Sequence, residues 1–73
     1  MNETYLQTNR LIARPAAVLG GTPVFTGTRV PVRSLLEYLE AGQPLDEFLT
    51  DFPTVSREQA VGVLELAATL VLR

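Results

Sequence analysis

The chain has 73 residues, 47% of them hydrophobic, and its six arginines, eight acidic residues and lack of lysine give a formal net charge of −2. A chain of this length forms one small domain, and so many hydrophobic residues exclude an intrinsically disordered protein. Cysteine and histidine are both absent, which removes disulfides, thiolate metal ligands and the commonest general base. We therefore expect no cofactor, no bound metal and no enzymatic activity.

The first 32 residues are expected to form an arm. Residues 1–9 are expected to be frayed, and residues 10–32 are rich in glycine, proline, threonine and valine. Two β-prone segments, Val24–Phe25 and Arg29–Val30, flank a turn centred on Gly27. This pattern predicts a small β hairpin or strand-like arm in which Gly27 adopts a positive φ.

The spacing of apolar residues changes after Pro31. Intervals of three and four residues predict two amphipathic helices, with apolar positions at Val32, Leu35, Leu36 and Leu39 and then at Leu45, Phe48, Leu49 and Phe52. Gly42 is suited to end the first of these helices, Pro44 to begin the second and Pro53 to stop it.

A third helix is predicted to begin at Ser56, with Gln59 completing a capping box. After its first turn the helix is almost entirely apolar, and the apolar arc spans about 240°, where roughly 100° suffices to cover one domain. We interpret the surplus as a contact with another chain and predict a homodimer. The expected dimer or partner interface consists of Val61, Leu66, Ala68, Leu70 and Leu72.

The second and third predicted helices are joined by the short turn Pro53-Thr54-Val55-Ser56, which is typical of a helix-turn-helix. The chain is thus predicted to be one mainly α domain over residues 1–73. Its β arm spans residues 10–32, and a three-helix unit spans residues 33–73.

Charged residues divide the chain into a basic first half and an acidic second half. Arginine suits bidentate contact with phosphate, and an ordinary solvated surface charge is the alternative interpretation of each residue. The candidate DNA-binding residues are Arg10, Arg14, Arg33 and Arg57.

Arg29 could bind phosphate, but we favour an ion pair with Asp51 or Glu37 that would hold the arm on the helices. The acidic residues Asp46, Glu47 and Asp51 are expected to serve helix capping and solubility rather than to hold a cation.

Three segments carry a resemblance to a known family. The sequences GGTPVFTGTRVPV, LLEYLEAG and LDEFLTDFPTVSREQA follow one another within residues 20–68, and in this order they are similar to the domain-of-unknown-function family 433. The resemblance implies a homeodomain-like or winged helix-turn-helix fold. It also implies antitoxins of type II toxin–antitoxin pairs, often encoded beside a PIN-like nuclease. The residues of this chain in the shared motifs are Gly27, Thr28, Arg29, Pro31, Asp51 and Pro53.

We therefore expect an antitoxin-like regulator that binds operator DNA and neutralises a small nuclease-like toxin. The alternative is a protein-interaction or dimerisation module that does not bind DNA; arginines that converge on one face would favour DNA. The first residues lack a signal-peptide core, no apolar run is long enough to span a bilayer, and cysteine is absent, so we expect a cytoplasmic protein without a membrane contact.

Overall fold

The computed structural model describes residues 10–15 and 19–72, so the expectation of a frayed segment at residues 1–9 lies outside the described residues. The fold is mainly helical, with three helices after a short two-stranded antiparallel sheet, as predicted. In chain order the elements are β1 (Ile12–Ala13), a single 3₁₀ turn (Leu19–Gly21), β2 (Val24–Phe25), α1 (Val32–Glu40), α2 (Leu45–Asp51) and α3 (Arg57–Val71).

Strand β2 lies between two other segments of the arm. On one side it pairs with β1, with Ile12 opposite Phe25 in antiparallel register. On the other side the backbone nitrogen of Phe25 donates to the carbonyl oxygen of Val30 at 3.0 Å, and Val24 forms an isolated bridge with Pro31. The predicted pairing across the Gly27 turn is therefore reduced to a bridge, because Pro31 has no N–H with which to extend a ladder.

The turn after β2 depends on Gly27 and Thr28. Gly27 has a φ of 79°, as expected, and this left-handed conformation strains residues that carry a Cβ. The Thr28 hydroxyl donates to the carbonyl oxygen of Phe25 at 2.8 Å and accepts from the backbone nitrogen of Val30 at 3.0 Å. These contacts direct the chain into α1.

Local signals place the helix ends close to their predicted positions. Pro31 and Pro44 are the N-cap residues of α1 and α2. Ser56 and Gln59 form the predicted capping box of α3, in which the backbone nitrogen of each residue donates to the other's side-chain oxygen at 3.0 Å. Gly42 follows α1 with a φ of 80°, in agreement with its predicted role.

The hydrophobic core lies where the arm and the three helices meet. The fully buried Phe25 and Phe48 have ring centroids 6.0 Å apart, and Phe48 also contacts the rings of Phe52 and Tyr38, with centroids at 5.0 and 5.4 Å. The buried residues are Val24, Phe25, Leu35, Phe48, Val55, Ala60, Val63 and Leu66. The core therefore reaches only as far as Leu66 along α3.

Candidate functional site

The end of α3 exposes large apolar side chains beyond the core. Leu70, Val71 and Leu72 are 64%, 78% and 82% exposed, whereas Val63 and Leu66 are 6% and 9% exposed. Leu70 lies seven residues after Val63 and four after Leu66, so it continues the stripe that these residues bury. It is exposed because α3 extends past the elements that cover its first half.

The predicted interface residues fall into two groups. Val61, Ala68, Leu70 and Leu72 are exposed and available to a partner, with Val61 only 37% exposed. Leu66 is buried in the domain's own core, so its placement at an interface is corrected. The helical pattern could not show where along α3 the core stops covering the apolar stripe.

A second exposed apolar surface lies on α1, and the periodicity of the sequence did not predict its exposure. Leu36 and Leu39 are 43% and 36% exposed, although the periodicity assigned both to the buried face. Of the four apolar positions on this helix, Leu35 is fully buried and Val32 is partly buried. The apolar stripe of α1 is therefore wider than the face that the arm and α2 cover.

Arg57 pairs with an acidic residue of its own chain. Its guanidinium forms an ion pair with the carboxylate of Asp46 at the start of α2. Glu58 and Glu65 are exposed and line the same shallow groove as Arg57 and Val61. This face of α3 therefore has two carboxylates and an arginine that is already paired.

The expected ion pair of Arg29 does not form. Within residues 10–15 and 19–72, Arg57 and Asp46 form the ion pair, and Arg29 contacts neither Asp51 nor Glu37 in this way. Instead, Asp51 accepts a hydrogen bond from the hydroxyl of Tyr38 at 2.5 Å. Arg29 is exposed and lines an open groove of about 600 Å³ between the arm and the end of α2, with Pro31 and Phe52 in its wall.

The hydroxyl of Tyr38 is the donor of the hydrogen bond to Asp51. The pKa of Tyr38 is raised from its ordinary value, first because its hydroxyl donates a hydrogen bond to Asp51. Partial desolvation and the negative charges of Asp51 and Glu47 add to the shift, since each disfavours a tyrosinate.

The other candidate arginines, Arg10, Arg14 and Arg33, are all exposed. Arg10 lines a groove of about 410 Å³ together with Glu65 and Thr69 of α3. Arg14 follows β1 directly, and Arg33 lies in the first turn of α1. Arg57, in contrast, lies at the start of α3, where it is paired with Asp46.

The acidic residues are used within the helices. Asp46 and Glu47 lie in the first turn of α2, where they face the positive end of the helix dipole, and Asp46 also pairs with Arg57. Within the described ranges, no three acidic, histidine or cysteine side chains are grouped so that they could hold a metal ion. None of the described helices has the length and apolarity needed to cross a membrane.

One comparison with known proteins gives a match. The model of a family described as protein of unknown function (DUF433) matches residues 12–67. Comparisons with curated proteins and with solved structures found no match. The matched range begins at β1, includes all the residues of the shared motifs and ends within α3, before the exposed Leu70. Because it covers more than half of the chain, the protein belongs to the DUF433 family of proteins of unknown function.

Proposed function

We propose that this chain pairs with a second copy of itself through the end of α3 and that the dimer is an antitoxin-like regulator. The observation that carries the proposal is the exposure of Leu70, Val71 and Leu72, at 64%, 78% and 82%. Burying one such side chain contributes about 1.5–3 kcal/mol. Three consecutive helical residues do not face one direction, so a symmetric pair buries part of this surface, centred on Leu70, which continues the stripe of Val63 and Leu66.

The antitoxin role is supported by what the resemblance of the shared motifs implies. The proposed target is a small PIN-like nuclease. If the end of α3 is used by the dimer, the described exposed large apolar residues left for this toxin are Leu36 and Leu39 of α1 and the isolated Val61 of α3, and only Leu36 and Leu39 lie together on one helix. We assign them that contact.

DNA binding is proposed as the second activity of the dimer. It is supported by the exposed arginines Arg14, Arg29 and Arg33 of the arm and the first turn of α1. The alternative, a protein-interaction module that does not bind DNA, is favoured by the carboxylates Glu58 and Glu65 on the exposed face of α3.

Light scattering tests the dimer. We expect the wild type to have the mass of two chains at micromolar concentration, and Leu70→Glu to have the mass of one, because a carboxylate would be desolvated in the interface. Gln43→Glu adds the same charge at an exposed position between α1 and α2, and this control should remain dimeric. A monomeric wild type would contradict the proposal.

Co-expression with the product of the neighbouring gene tests the antitoxin role. The wild type should restore growth if that product is a nuclease toxin. Leu36→Glu should lose protection while it keeps the mass of a dimer, since Leu36 lies on α1 and not on α3. If the wild type gives no protection, the antitoxin assignment is wrong; if Leu36→Glu protects fully, only the assignment of α1 is wrong.

A further inference from the structure

We infer that this chain binds nucleic-acid phosphate through Arg14, Arg29 and Arg33, on the β arm and the first turn of α1. The exposed face of α3 does not enter a groove of the DNA duplex. This inference rests on the DNA-binding half of the proposed function and names the surface that performs it.

The first argument is the charge of the arm. Residues 4–36 contain four arginines and no acidic residue. Arg14, Arg29 and Arg33 are exposed, and in the part of the chain that the structure describes none of the three takes part in an ion pair. Arg10 differs from them because it shares a groove with Glu65. Three cations thus remain available for an external anion.

The second argument is the geometry of the three segments. Continuing the register of β1 and β2 by one residue places Arg14 opposite Pro23, whose carbonyl oxygen accepts from the backbone nitrogen of Val32 at 3.0 Å. Two strand spacings, roughly 10 Å, therefore separate the backbone of Arg14 from the start of α1. Four residues separate Arg29 from Arg33, which limits the distance between their backbones to about 13–14 Å. The backbones of Arg14 and Arg29 therefore both lie within about 14 Å of the first turn of α1.

The third argument concerns α3, which would be the recognition helix of a helix-turn-helix. Arg57 would have to exchange Asp46 for a phosphate, and the neighbouring Glu58 and Glu65 would face the negative backbone of the duplex. Like charges brought together in an interface cost free energy. The exposed face of α3 is therefore poorly suited to a phosphate backbone. Residues 10–36 contain no carboxylate, and Glu37, one turn after Arg33, is the first acidic residue that follows them.

The distribution of exposed apolar residues indicates whether this arginine surface binds nucleic acid or an acidic protein. A protein interface has an apolar centre, whereas a surface that binds DNA is polar and positively charged. Among the described side chains, the exposed large hydrophobic residues lie on α1, on α3 or directly after α3, and none lies on the arm. Arginine also matches phosphate with two parallel hydrogen bonds. These features favour a duplex backbone.

Fluorescence anisotropy with a labelled random-sequence DNA duplex tests the inference. Affinity should be measured between about 50 and 200 mM salt for the wild type, for the triple variant Arg14→Ala/Arg29→Ala/Arg33→Ala, and for Arg57→Ala. The slope of log K against log salt is negative, and each lost phosphate contact reduces its magnitude by about 0.9, so the triple variant should have a slope smaller in magnitude by about 2.7 per bound chain. Arg57→Ala should keep the wild-type slope.

Replacement of the same three arginines by lysine provides the matched control. It preserves the charges and should retain most of the slope, because counterion release depends on charge. Circular dichroism should show the same helix content in all variants, since the replaced side chains are exposed.

The outcomes separate the surface from the function. If the wild type binds DNA and only Arg57→Ala reduces the slope, the arm is the wrong surface although DNA binding stands. If the wild type binds no duplex even at about 50 mM salt, the DNA-binding half of the function and this inference both fail. The proposed dimer is then still tested separately by light scattering. If poly-glutamate competes as well as DNA at equal charge, the occupant is an acidic protein and the inference is overturned.

Discussion

Gln59 of α3 donates from its side-chain nitrogen to the backbone carbonyl oxygen of Thr26 at 2.8 Å, which ties the start of α3 to the turn of the arm. The same side chain accepts from the backbone nitrogen of Ser56 at 3.0 Å through its oxygen. One amide thus caps a helix and joins two parts of the chain that are 33 residues apart.

Gln59→Glu separates these two roles. A glutamate can still accept from Ser56, but it has no N–H to donate to Thr26. We expect the free energy of unfolding in urea to fall by about 1 kcal/mol for Gln59→Glu, and by roughly 2 kcal/mol for Gln59→Ala, which loses both bonds. Glu58→Gln, an exchange between the same two residue types at the exposed neighbour, should have little effect. Equal stability of Gln59→Glu and the wild type would show that the bond to Thr26 contributes nothing.

Leu11 lies against Gly62 on α3. A Cβ added at Gly62 would be 2.9 Å from Cδ1 of Leu11, a distance that forces the leucine side chain to move. Gly62→Ala gains about 1 kcal/mol of helix propensity but disturbs this contact, so we expect it to be nearly neutral in the wild type. In a Leu11→Ala background the same substitution should stabilise the protein by about 1 kcal/mol.

A double-mutant cycle of urea unfolding measures this coupling. Equal effects of Gly62→Ala in both backgrounds would mean that Leu11 does not pack on α3. Leu11→Ala alone should destabilise the domain, since Leu11 packs against the core.

The hydrogen bond from Tyr38 to Asp51 makes stability depend on alkaline pH. The pKa of Tyr38 is raised in the folded protein, so the folded state holds this proton more tightly than the unfolded state. The resulting stabilisation is fully present below the ordinary tyrosine pKa of about 10 and is lost as the pH rises through the higher folded value.

Urea unfolding at a series of pH values from about 8 to 11 should show this loss. Tyr38→Phe keeps the ring that packs on Phe48 and Phe52. It should not show the part of the stability loss that comes from ionisation of the Tyr38 hydroxyl. Tyr5→Phe controls for the chain's other tyrosine. An identical pH profile for Tyr38→Phe and the wild type would rule out the bond as its cause.

Deletion of residues 69–73 removes the exposed end of α3 and leaves its buried residues Ala60, Val63 and Leu66 in place. We expect the shortened chain to fold and to be monomeric. The thermal midpoint of the wild type should rise with protein concentration, because a dimer is stabilised by mass action, and that of the shortened chain should not. A wild-type midpoint that is independent of concentration would argue against the dimer.

Local features of this chain could be predicted because a few neighbouring residues determine them. The capping box of Ser56 and Gln59 and the positive φ of Gly27 depend on backbone geometry within four residues. The helix positions follow from periodic burial, which is also visible in a single segment. For the same reason the family resemblance, carried by short motifs, could be recognised before the fold was known.

Contacts between distant residues were decided by the tertiary structure. The pairing of β2 with β1, the ion pair of Arg57 with Asp46 and the hydrogen bond of Tyr38 to Asp51 join residues that are 11 to 13 positions apart. The sequence contains several acidic residues that could pair with each arginine, and which pair forms depends on the distances between side chains in the folded protein. The burial of Leu66 and the exposure of Leu70, four residues later on the same stripe, depend on where the arm and the other helices end, and a helical pattern has no information about that boundary.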